Sequence, residues 1–157
     1  MKYVVGLLLS LFLSSPFAAD EFWEQGITED RHQITVYRSA SCGCCKGWIA
    51  HLEQHNFDVK DVTVEDVNQY KQKFNVPPNA ASCHTAIVDG VTIEGHVPAQ
   101  DIKRLLTGNH NTRLLTVPGM PSGSPGMDMP GAPKHAFTVF SVSSDDEVGK
   151  FNTYSNY

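Results

Sequence analysis

Apolar and polar positions fall into short blocks along this chain of 157 residues, and most blocks carry a recognisable period. Ile34 to Arg38 is β-branched and aromatic and predicts a strand. From Cys44 to His55, Cys45, Trp48, Ile49 and Leu52 recur at helical spacing, with Asn56 as a stop. Phe57 to Val64 alternates, which suits a second strand. Val67, Tyr70 and Phe74 then mark a short helix over Glu65 to Phe74, closed by Pro77-Pro78. Thr85 to Val88 and Val91 to Glu94 flank Asp89-Gly90, the pair that suits both positive-φ positions of a type I′ hairpin turn. Pro98 to Thr107 reads as a last helix, with Gly108 just beyond it. Ahead of all these, Asp20 to Gln33 is polar around Phe22 and Trp23 and reads as an irregular lead-in.

The order β-α-β-α-β-β-α is that of an α/β, thioredoxin-like domain, a mixed central sheet flanked by helices. A helix joining two strands implies a parallel pair with a right-handed crossover, and the hairpin adds antiparallel strands. Residues 33–157 are expected to form this one domain. Within it, residues 118–133 change character, because nine of the sixteen are Pro or Gly, and an extended loop follows. Ala136 to Val142 alternates as an added strand, with Phe151 and Tyr154 placed to close another.

The N-terminus bears on location. Lys2, the apolar run Val4 to Leu13, and then Ser14-Ser15-Pro16 with Ala18-Ala19 have the layout of a secretory signal peptide over residues 1–19. Phe17 sits where a small residue is preferred for cleavage after Ala19. The run is short for a bilayer span, and no later stretch approaches the length of one. The expected location is therefore the periplasm, where disulfides are permitted. The net charge of −5 and the lack of a basic stripe argue against nucleic acid as a partner.

Chemistry concentrates in the four cysteines. Cys42-Gly43-Cys44-Cys45 lies between the first strand and first helix, and Cys83-His84 lies just before the Thr85 strand, on the loop that faces that turn in a thioredoxin-like domain. Cys42 and Cys45 have redox Cys-x-x-Cys spacing, and helix N-terminal amides favour thiolate there. Cys44 between them would misroute disulfide exchange, yet it suits a soft metal that takes several thiolates. Structural disulfides, thiol–disulfide exchange and metal binding all remain open on these residues. Beyond the initiator, the methionines are Met120, Met127 and Met129, all in the Pro/Gly loop. They either pin that loop to the domain or offer thioethers, and thioether with thiolate selects Cu(I). A four-thiolate zinc site usually has two separated Cys-x-x-Cys arms, whereas crowded thiolates suit bridged copper, more than one ion of it.

Among the histidines, His84 stands out because it adjoins Cys83. His51 and His55, at i and i+4, could chelate but read as the solvated face of their helix. His96 reads equally as a turn residue and as a ligand. His32, His110 and His135 have no evident partner.

The chain resembles the CopG-like family of periplasmic copper-resistance proteins. The resemblance is carried by Cys42-Gly43-Cys44-Cys45-Lys46-Gly47-Trp48, by Ser82-Cys83-His84-Thr85-Ala86, by Glu94-Gly95-His96-Val97-Pro98-Ala99, and by Val117-Pro118-Gly119-Met120-Pro121 with Gly126-Met127. It implies a thioredoxin-like fold, copper bound through the Cys-x-Cys-Cys and Cys-His motifs, and work beside copper efflux components. The expectation is a copper-resistance protein that holds Cu(I) on Cys42, Cys44, Cys45, Cys83 and His84. Met120, Met127 and Met129 are capture or lid groups, and a Cu(I)/Cu(II) shuttle is conceivable at a bridged site. Two other functions compete: a thiol–disulfide oxidoreductase using Cys42 and Cys45, and a chaperone that hands copper to an efflux pump.

Overall fold

The computed structural model describes residues 20–108 and 111–157, so the signal peptide expected over residues 1–19, and His110, lie outside the described residues. Seven strands form one mixed sheet: β1 (His32–Arg38), β2 (Phe57–Thr63), β3 (Thr85–Val88), β4 (Val91–Glu94), β5 (Thr112–Thr116), β6 (Phe137–Ser143) and β7 (Val148–Tyr154). Their spatial order is β2-β1-β3-β4-β5-β6-β7. The pairs β1/β2 and β4/β5 are parallel, each joined through a helix, and the other neighbours are antiparallel. The helices are α1 (Gly43–Gln54), α2 (Asn68–Lys73) and α3 (Ala99–Thr107). Among the described residues, no helix is long and apolar enough to cross a membrane.

The α/β order is as the sequence pattern requires, and the hairpin turn has the expected chemistry, with Asp89 and Gly90 both at positive φ. Two regions differ from expectation. Residues 112–116, to which the pattern assigned no element, form β5. Its Leu114 packs with Ala80 and Val142, while Leu115 enters the main core. A strand buried on both faces has no alternation to read. The lead-in is also ordered. Glu21–Glu24 makes a 3-10 turn capped by the Asp20 carboxylate, and Trp23 is fully buried in the core with Trp48, Leu52 and Phe137. Trp23 Nε1 donates to the Gly123 carbonyl at 2.9 Å, which ties the lead-in to the Pro/Gly loop.

That packing overturns the solvated reading of His51 and His55. They are 3% and 0% exposed, because Trp23 and the start of α3 cover this flank of α1. His51 Nε2 accepts the Ala99 N–H at 3.0 Å, so it serves an amide at the start of α3 that has no helical partner. His55 Nε2 donates to the Trp23 carbonyl at 2.6 Å. Burial holds the pKa of His51 well below the ordinary histidine value, with the His55 charge adding to it, and burial also lowers that of His55. Between those lowered values and about 6.5 the unfolded chain binds more protons than the folded one, so stability falls as pH drops below about 6.5. The urea midpoint of metal-free protein should therefore decline from pH 7.5 to pH 5. The slope should approach about 1.4 kcal/mol per pH unit for each proton taken up on unfolding, and a flat profile would refute it.

Candidate metal centre

The first turn of α1 and the loop before β3 meet where β1 ends and the neighbouring antiparallel β3 begins, inside the sheet order. Cys42 is the residue before α1, and Cys44 and Cys45 are in its first turn. Cys83 comes in from the facing loop. Cys42 and Cys45 are joined by a disulfide, and Cys44 and Cys83 are free. The Cys44 sulfur lies 3.5 Å from that of Cys42 and 3.9 Å from that of Cys83, and Cys45 Sγ lies 3.6 Å from Cys83 Sγ. All four sulfurs fall within 4.8 Å of one another.

Cys83 also belongs to a second group with His84 and His96. Its sulfur is 3.2 Å from His84 Nδ1 and 3.1 Å from His96 Nε2. His96 Nδ1 donates to the Pro125 carbonyl at 2.8 Å, which fixes the tautomer and leaves the Nε2 lone pair facing Cys83. Both imidazoles are fully buried. Burial holds the His84 pKa well below the ordinary value, with His96 and Lys71 adding to the effect. It lowers that of His96 too, partly offset by the Pro125 carbonyl. Both rings are therefore neutral, the form that ligates metal. The Cys83 thiol is pushed up to about 12, first by burial and then by Cys44, so an ion entering here displaces its proton. His84 Nε2 is buried with no hydrogen-bond partner.

A buried ion pair sets the loop that carries Cys83 and His84. Glu94, at the end of β4, is fully buried, and both its carboxylate oxygens are in use. Oε1 accepts from Lys71 Nζ at 2.5 Å and from the Ser82 N–H at 2.6 Å, while Oε2 accepts the Thr85 hydroxyl at 2.7 Å. Lys71 also donates to Thr85 Oγ1 at 3.1 Å. The carboxylate thus grips the residues on both sides of Cys83-His84.

The Pro/Gly loop lies on the first turn of α1. Gly126 has φ +81°, and a Cβ there would sit 2.5 Å from the Trp48 nitrogen and 2.6 Å from the Cys44 carbonyl oxygen. Only glycine allows that approach. The loop and α1 enclose a groove of about 700 Å³, whose lining includes Cys44, Gly47, His51, Met127 and Met129. Met129 is 65% exposed. Met120 is exposed and is not among the groove's lining residues.

The structure thus brings together Cys42, Cys44, Cys45, Cys83 and His84, with Met127 and Met129 at the mouth of the adjoining groove and Met120 outside it. Sequence reasoning left His96 undecided. Its signal was its place straight after β4, whose pairing with β3 returns the chain beside Cys83. Three sulfurs from one helix turn, a fourth from a facing loop and two neutral imidazoles form a donor set suited to soft or borderline ions.

Comparison with known proteins agrees with this donor set. A family model described as a protein of unknown function, DUF411, matches residues 80–127, which include Cys83, His84, His96 and the loop to Met127. One solved structure, described as copper resistance protein CopG form 2, has 40% identity and a TM-score of 0.76, over 80% of this chain and 100% of that one. Form 1 of the same description has 41% identity and a TM-score of 0.74, over 79% and 98%. No curated protein matches the chain.

Proposed function

Because the chain belongs to the CopG family of copper resistance proteins, we propose that it works in copper resistance by holding Cu(I), more than one ion of it, on Cys42, Cys44, Cys45 and Cys83. His84 and His96 complete the set. The observation that carries this reading is the convergence of four sulfurs within 4.8 Å, with Cys83 shared between the sulfur group and the two imidazoles. Thiolates this close can bridge, and Cu(I) accepts such low-coordinate bridged sites, whereas one tetrahedral zinc would leave donors unused. The donors sit at the ends of β1 and β3, beside a groove whose lining includes Met127 and Met129, which supports capture or exchange of the ion there. Met120, farther out, is a weaker candidate for the same role. A helix starting at the cysteine turn, with Cys83 on the loop before the antiparallel hairpin, supports the thioredoxin-like reading of the fold. The signal-peptide layout of residues 1–19 supports a periplasmic location, and with it a role beside efflux components.

The test is metal analysis of fully reduced protein loaded under anaerobic conditions. More than one copper per chain is expected, with X-ray absorption reporting sulfur-dominated Cu(I). One zinc per chain and no capacity for copper would sink the reading. The Cys42–Cys45 disulfide favours a second reading, thiol–disulfide exchange. The two separate on Cys44→Ser, because an exchange enzyme working through Cys42 and Cys45 would keep its disulfide reductase rate, whereas a copper site loses capacity.

A further inference from the structure

Asp20, the residue after the expected cut at Ala19, is held at three atoms. Its Oδ1 accepts the Phe22 N–H at 3.0 Å, its Oδ2 pairs with Lys134 Nζ at 2.5 Å, and its carbonyl accepts the Trp23 N–H at 2.8 Å. Trp23 is fully buried, so these contacts position the Asp20 nitrogen from its C-terminal side. That nitrogen donates to Asp128 Oδ2 at 2.8 Å. The other Asp128 oxygen accepts the Gly126 N–H at 2.9 Å, so one carboxylate ties the lead-in to the Pro/Gly loop at the glycine that lies on α1. The charges do not balance there. Asp20, Asp128 and Lys134 line one hollow of about 400 Å³, with Glu21 beside them. Lys134 is taken by Asp20 and by the Tyr157 main-chain oxygen at 3.0 Å. Among the described residues, no side-chain cation bonds Asp128, which is half-buried with both oxygens facing main-chain nitrogen.

We propose that removal of residues 1–19 supplies the missing cation: the α-ammonium of Asp20 pairs with Asp128 and locks the Pro/Gly loop onto α1. This rests on the reading of residues 1–19 as a cleaved export signal. A signal-type endopeptidase hydrolyses the Ala19–Asp20 bond. The hydroxyl of water goes to the Ala19 carbonyl carbon, and its other hydrogen goes to the Asp20 nitrogen. At neutral pH the new carboxyl releases a proton and the new amine takes one. A neutral N–H donor thereby becomes a charged one at the same place, and 2.8 Å is the ordinary length of such a bond to a carboxylate. A charge-assisted hydrogen bond is about twice as strong as a neutral one. The segment it grips carries Gly123, whose carbonyl takes the Trp23 indole N–H, and Pro125, whose carbonyl holds His96. Cutting the chain and tightening this loop are therefore one event, and the uncut chain holds the loop less firmly.

The test compares the chain starting at Asp20 with the chain starting at Ser14, each also carrying Asp128→Asn. The longer start keeps the Asp20 N–H but moves the α-amine away from Asp128. Asparagine keeps an acceptor for the Gly126 N–H and loses the charge. Hydrogen–deuterium exchange at about pH 6.5, where the α-amine is charged, reads the Gly126 amide and the Trp23 indole N–H. Both should exchange about fivefold more slowly in the Asp20 start than in the Ser14 start, and the two Asp128→Asn proteins should exchange alike. Equal exchange in the two starts, or a difference that persists in Asp128→Asn, overturns the pairing. The underlying reading is tested separately by the intact mass of protein expressed with residues 1–19 and recovered from a bacterial periplasm. A first residue of Asp20 is expected. Any other start, or no exported protein, overturns the cut at Ala19, whereas a start at Asp20 with equal exchange overturns the ion pair alone.

Discussion

Glu94→Ala is expected to destabilise the metal-free protein by about 3–5 kcal/mol, a large share of the ~5–15 kcal/mol that holds a domain together. The variant leaves the Lys71 ammonium, whose side chain is 11% exposed, without its anion. It also strips the acceptor from the Ser82 N–H and the Thr85 hydroxyl. Breaking one half of a buried pair is costly because the remaining charge is desolvated and unpaired. The pair as a whole contributes far less, because both ions lost water to form it. The double variant Lys71→Met with Glu94→Gln, which removes both charges and keeps an acceptor for Ser82 and Thr85, should therefore recover more than half of the loss. Urea unfolding of the three proteins measures this. A loss below about 1 kcal/mol in Glu94→Ala would mean that the pair is solvated as surface pairs are.

The same pair shows what a linear reading of the chain can and cannot reach. The hairpin was legible because Asp89-Gly90 is a local requirement: both residues need positive φ whatever surrounds them. The convergence of Cys83 on the Cys42–Cys45 turn was legible because element order alone places the two loops face to face. Lys71 and Glu94 were not, since lone charged residues at a helix and a strand end are ordinarily solvated. Only the β3/β4 register, which sets Glu94 opposite Thr85, shows where the carboxylate goes. His51 and His55 misled for a related reason. Their positions are polar by residue type, and the cover comes from Trp23, 28 residues before His51. β5 was hidden by its burial on both faces, and its parallel pairing with β4 requires a crossover rather than a turn that can be read. Local chemistry survives in sequence, while burial created by distant segments does not.

Cys83→Ser is expected to lower Cu(I) affinity by at least about 100-fold, or about 2.7 kcal/mol, and to reduce the number of coppers held, with little change in the stability of the metal-free fold. Cys83 is the sulfur that both donor groups share, within 3.9 Å of Cys44, 3.6 Å of Cys45 and about 3 Å of each imidazole. A serine oxygen is shorter, harder and not ionised at neutral pH, so it bridges no soft ion. The 100-fold figure is a floor, because it is the upper end of what losing a mere supporting partner costs a metal site. In the metal-free protein the exchange is mild, since the thiol is protonated there and a hydroxyl can still donate to His96 Nε2. Competition against a Cu(I) chelator gives the affinity, and urea unfolding gives the stability. This variant thus separates ligation from scaffolding: Glu94→Ala should fail in the urea measurement, and Cys83→Ser only in the chelator one. Retained affinity in Cys83→Ser, with affinity lost in Cys44→Ser, would place the whole site on the first turn of α1 and leave the facing loop without a ligand.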